Sequence, residues 1–158
     1  MPEQVPDVDD LSRHLFAPSM GALGSELIWQ NVFMFRTEHN CCESLAWRKY
    51  APSIADVHNL GCSKQRNDRA AGRNSTYFGA LTGNAGNVRN LRSKNGGRFE
   101  ILHAPDEGIH HVHITFQNVE RLTKSDKTEL KVLIRGQFAA RSEHQCADIP
   151  DSSAHANP

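Results

Sequence analysis

Along His111-Val112-His113-Ile114-Thr115-Phe116, polar side chains alternate with apolar ones. Successive side chains on a β-strand point to opposite faces. The pattern sends Val112, Ile114 and Phe116 toward a core and brings His111, His113 and Thr115 together on the other face. Two imidazoles two residues apart suit acid–base chemistry, because each titrates near neutral pH and can give or take a proton. The candidate catalytic residues are therefore His111, His113 and Thr115, with His113 carrying the chemistry if the protein is an enzyme. A solvated polar strand face is the plainer reading of the same residues.

A second constellation is basic. Net charge is zero, but residues 1–45 hold two basic and seven acidic side chains, residues 46–98 hold ten and two, and residues 99–158 hold six and nine. A neutral chain with a concentrated basic segment can present a local field to phosphates. The candidate ligand-binding residues are Arg66, Arg69, Arg73, Arg89, Arg92, Lys94 and Arg98, with Lys64 beside them. Arginine predominates, which favours bidentate contacts to phosphate oxygens. Gly83, Gly86, Gly96 and Gly97 would let backbone N–H groups approach a ligand, and Tyr77 and Phe78 would stack on bases. The plainer reading pairs these bases with the acidic ends of the chain.

Three further groups are weaker signals. His39, Cys41, Cys42, His58 and Cys62 are metal-ligand types, and His58 and Cys62 share a helical face, but no zinc spacing is present. No metal or cofactor is called for. Trp47 and Tyr50 flank Arg48 and Lys49, an arrangement for docking a protein partner or, more simply, for a helix face turned to the core. Cys41, Cys42, Cys62 and Cys146 have no framework spacing, and the N-terminal residues have no secretory pattern, so all four are expected as thiols of a cytoplasmic protein. No apolar run reaches the length of a membrane span.

Family patterns touch this sequence at three places. The alternation from His111 to Phe116 is similar to the strand of histidine-triad hydrolases, a resemblance that implies a nucleophilic His113, with Thr115 in the third histidine's place. His113-Ile114-Thr115 resembles one copy of the element that two-histidine phosphoesterases carry twice. Gly83-Asn84-Ala85-Gly86 has the spacing of a KH-domain loop, with Arg89 where an apolar residue belongs. The chain is assigned to none of these families.

The elements that must position these groups follow from local pattern. Leu27 to Phe35, rich in β-branched and aromatic residues, predicts a strand. Glu43 to Tyr50 predicts a short helix ending before Pro52. Ser53 with Asp56 forms a capping box for a helix to about Ala71. Strands are predicted at Thr76 to Thr82, Val88 to Arg92, Arg98 to His103 and Ile109 to Phe116, the last two as an antiparallel hairpin. Asn95-Gly96-Gly97 signals a turn. Leu130, Leu133, Ile134 and Phe138 mark an amphipathic helix capped near Asp126 and ending near Arg141.

The expected architecture is an α+β domain over residues 11–142, an antiparallel sheet of about four to five strands with helices packed on one side. Residues 1–10 read as a flexible acidic leader and 143–158 as a disordered tail. The expected function is binding of nucleic acid or a nucleotide phosphate, with metal-independent phosphodiester or RNA cleavage by the histidine pair as its catalytic form. In that form Arg89 or Arg92 would stabilise phosphoryl charge, and Glu38 or Glu100 would orient an imidazole. The alternative is a non-catalytic interaction subunit of a larger cytoplasmic complex.

Overall fold

The computed structural model describes residues 2–147. Six strands form one antiparallel sheet: β1 (Asp10–Ala17), β2 (Glu43–Trp47), β3 (Thr76–Asn84), β4 (Phe99–His103), β5 (His111–Phe116) and β6 (Ala140–Glu143), in the order β4-β5-β2-β1-β3-β6. Four helices pack against it: α1 (Trp29–Val32), α2 (Ile54–Ala70), α3 (Ala85–Arg89) and α4 (Lys124–Arg135). The α+β class and the antiparallel sheet are as expected from sequence.

The main core lies on one face, where Leu11, Leu15, Leu45, Trp47, Leu81, Ile101, Val112 and Ile114 meet Phe33, Phe35, Leu130, Ile134 and Phe138. Leu81 belongs to this core, while its neighbour Ala80 packs with Val57 and Ala51 in a separate cluster. Neighbouring strand residues point to opposite faces, so α2 covers the face opposite α4. Both long helices start at capping boxes. Ser53 and Asp56 cap α2 as read from sequence, whereas α4 is capped one turn earlier than expected, by Thr123 with Asp126 at the third helical position. The helix stops at Arg135, short of Arg141.

Three local readings are overturned. Leu27 to Phe35 is not a strand: it forms α1 and a loop, and its apolar residues Val32, Phe33 and Phe35 enter the core from above the sheet. Glu43 to Trp47 is a strand, not a helix, paired with β1 on one side and β5 on the other. Val88 to Arg92 is not a strand: Asn84 accepts a hydrogen bond from the Asn87 amide and caps α3.

A buried ion pair joins these corrected segments. Arg13 Nη2 donates to Glu43 Oε1 at 2.9 Å, and its other nitrogens donate to the carbonyls of Val32 and Ser44. Glu43 Oε2 accepts the amide of Phe35, whose φ of 50° lies in the left-handed region. The α1 loop is thereby tied to the sheet by charge as well as by apolar contact.

The N-terminal segment is integrated into the fold. Val5 is fully buried, Gln4 bridges Leu102 beside β4, and Arg89 pairs with Asp7 at 2.7 Å. At the other end Cys146 forms a disulfide with Cys62 across 84 residues, so the expectation of four free thiols holds only for Cys41 and Cys42. Closing a loop of that length contributes about 4–5 kcal/mol in the chain-entropy account. The sequence pattern missed the pair because the two cysteines meet only when the strand after α4 returns beside β3. The tail expected as disordered lies, from residue 148 on, outside the described residues. No helix among the described residues is long and apolar enough to cross a membrane.

Candidate functional site

Strand β5 has the alternation that the sequence implies. Val112, Ile114 and Phe116 are buried, and His111, His113 and Thr115 are partly exposed on the opposite face. That face carries α2 over β1 and β3, leaving the β2-β5-β4 half more open: Cys42, Ser44, Glu100 and Leu102 are also partly exposed.

Register supplies the neighbours. Ser44 lies opposite His113 and Ala46 opposite His111 in the β2–β5 pairing. Ser44 Oγ is 2.9 Å from His111 Nδ1. His113 Nε2 contacts the Glu107 carboxylate, which hangs over the strand from the helical turn Pro105–Glu107. Thus Glu107 orients an imidazole, and neither Glu38 nor Glu100 does. Glu38 pairs with Arg36, and Glu100 lies across from Thr115 in the β4–β5 pair. The turn packs this closely because residue 108 is glycine: its φ is 137°, and an added Cβ would lie 2.8 Å from the His111 ring.

The two imidazoles have different surroundings. Burial pushes the His111 pKa down, the Glu107 charge pulls it up, and the charges of His113 and Lys64 lower it further. The His110 ring lies tilted against His111 with centroids 4.3 Å apart, and burial lowers its pKa too. On β1, His14 is 2.9 Å from the Val57 carbonyl of α2, and burial drives its pKa down to about 4. A recess of about 420 Å³ opens beside His113 and Thr115, walled by Cys42, Leu102, His103 and the 104–106 turn. Burial raises the Cys42 thiol pKa, so it is a poor nucleophile at neutral pH.

The basic residues do not form one patch. Arg66 donates to Ser63, Arg69 to Thr76 and Arg73 to Asp68, all around the end of α2. Lys64 also pairs with Asp68 at 3.3 Å. Arg89, Arg92 and Arg98 instead line a recess of about 300 Å³ with Asp7, Glu100 and Gln117. Arg92 is turned onto the carbonyls of Arg89 and Leu91, while Lys94 offers its amide to Glu129. Gln117 follows the last residue of β5. His111, His113 and Thr115 thus share one face of β5, and Gln117, just past its end, borders the arginine recess.

The aromatic expectations change. Tyr77 and Phe78 are buried, so neither is a stacking platform. Trp47 is fully buried and Tyr50 half-exposed. The Trp47 indole N–H donates to Asp9 at 2.8 Å. Ser44, Glu107 and His14 were missed from sequence, and Cys42 was read there only as a metal-ligand type. An acidic residue in the short hairpin connection was the one available signal for Glu107; the others depend on strand register. Comparison with protein-family models, with curated proteins and with solved structures finds no match.

Proposed function

We propose that the open half of the sheet binds a nucleotide-containing phosphodiester and cleaves it by acid–base catalysis, with His111 and His113 as the proton-transfer pair. The observation that carries this reading is the polar face of β5, where two differently placed imidazoles share one side of a strand whose end adjoins a recess lined by Arg89, Arg92 and Arg98 together with Asp7 and Glu100.

The roles follow from local chemistry. With Nδ1–H donating to Ser44, neutral His111 presents its Nε2 lone pair as general base to the attacking hydroxyl. Its lowered pKa keeps that lone pair available at neutral pH. His113, held by Glu107, supplies a proton to the leaving oxygen as the phosphorus–oxygen bond breaks. Thr115 donates to a non-bridging oxygen, and Lys64 adds positive charge beside His111. Arg98 and Arg92 hold a flanking phosphate. The cleavage step, so written, needs no metal. A docking subunit is less favoured, because Trp47 is inaccessible and the acidic Glu3 and Asp7 are engaged by Lys49 and Arg89.

The test is cleavage of labelled RNA, DNA and dinucleotides, with binding measured in parallel at several salt concentrations. His113→Ala and His111→Ala should each lower turnover by about two to four orders of magnitude. Arg98→Ala should weaken binding and flatten its salt dependence. No retention of any nucleic acid at low salt, together with equal rates for wild type and His113→Ala, would overturn the proposal.

A further inference from the structure

The end of β6 carries a second concentration of chemistry, remote in sequence from the β5 histidines. Cys62 on α2 and His144 and Cys146 after β6 bring two sulfurs and an imidazole nitrogen within 4.8 Å of one another, the sole such grouping of metal-ligand atoms among the described residues. A His144 ring nitrogen lies beside the Cys62–Cys146 disulfide. In the reduced state, two thiolates and an imidazole form a donor set that suits Zn²⁺ and disfavours hard cations.

The surroundings hold His144 in place. Its ring stacks on His58 at 4.3 Å with an interplanar angle of 11°. His58 is itself fixed, with Nδ1 2.7 Å from the Tyr77 hydroxyl and Nε2 3.1 Å from Ser142 Oγ. Stacked face to face, the two imidazoles do not share one ion without breaking that packing, so His58 acts as a wall and His144 as the ligand. The stack on His58 restricts rotation of the His144 ring. His144 and Cys146 are partly exposed, so reductant and ion both have access.

We infer that Cys62, His144 and Cys146 form a zinc site in the reduced protein, and that the disulfide is the oxidised state of the same site. Reduction by a low-molecular-weight thiol takes two such thiols: the Cys62–Cys146 bond breaks, each sulfur gains one electron and one proton, and the reductant leaves as its own disulfide. Zn²⁺ then displaces both thiol protons and accepts the His144 lone pair, with no change in its own oxidation state. The sulfurs part to about 3.8 Å, the separation of two ligands at ~2.3 Å around a tetrahedral ion. Water fills the fourth position. Oxidation reverses the sequence and expels the ion.

The experiment uses the full chain, reduced with a phosphine and titrated anaerobically with Co²⁺ and then Zn²⁺. One equivalent of Co²⁺ should give a thiolate charge-transfer band that Zn²⁺ abolishes, and peroxide should release one Zn²⁺ per chain as the disulfide re-forms. Disulfide-containing protein should give no band. His144→Ala, which retains both cysteines, should weaken Zn²⁺ binding by more than about tenfold, the smallest loss seen when even an indirect partner is removed. Circular dichroism checks that reduced wild type and His144→Ala are folded. No stoichiometric binding to the reduced chain would overturn the site. So would equal binding by His144→Ala, equal binding by the oxidised form, or a reduced chain that unfolds and is not restored by Zn²⁺.

Discussion

Lowering the pH should destabilise this protein through His14 before its carboxylates titrate. His14 sits under the first turns of α2, with Nε2–H donating to the Val57 carbonyl. Tyr77 lies edge-on at 5.5 Å, and Arg13, His110 and His111 add positive charge nearby. Burial is the main cause of its depressed pKa, about 4 against an ordinary 6.5. Between these values the unfolded chain binds a proton that the folded chain refuses, so stability is complete above pH 6.5 and falls as the pH drops toward 4. Each pH unit in that window removes about 1.4 kcal/mol. Allowing for the part of His14 that water still reaches, the full loss is about 2–3 kcal/mol. His14→Gln keeps a donor for Val57 and cannot titrate. Urea unfolding at about pH 7 and about pH 4.5 measures both proteins. The variant should be somewhat weaker at the higher pH and gain on wild type at the lower, while shared losses from His58, His110 and His111 cancel in the comparison. A difference between the two proteins that does not change with pH would refute a neutral, buried His14.

Two substitutions test the packing. Gly61→Ala should destabilise by about 1–2 kcal/mol despite its helix-propensity gain of about 1 kcal/mol, because the new Cβ would lie 2.4 Å from the ring of Tyr77, which is buried and held by His58. A raised thermal midpoint would show that the ring yields. Arg13→Leu should cost about 3–5 kcal/mol by leaving Glu43 buried without its partner, and Arg13→Leu with Glu43→Leu should recover most of that loss. A single-variant loss below about 1 kcal/mol in chemical unfolding would contradict the buried pair.

Where structure is set by neighbours in the chain, the sequence was sufficient. The Ser53–Asp56 capping box starts α2 because both its hydrogen bonds lie within four residues. The β4–β5 hairpin and the facing of His111, His113 and Thr115 follow from a short connection and a two-residue period. Local pattern misled where a partner had to decide. Glu43-Ser44-Leu45-Ala46-Trp47 has few strand-forming residues, yet it occupies an interior place in the sheet because Leu45 and Trp47 fill the core and Arg13 neutralises Glu43. Leu27 to Phe35 has strand composition, but it finds no place in the sheet and spends its aromatic residues covering it. The candidate site divides in the same way. Its histidines could be placed on one face from their spacing, but Ser44 meets His111 across 67 residues and Cys62 meets Cys146 across 84. Contacts of that range depend on strand register and chain return, which are settled by packing the whole domain and leave no mark in any short stretch of sequence.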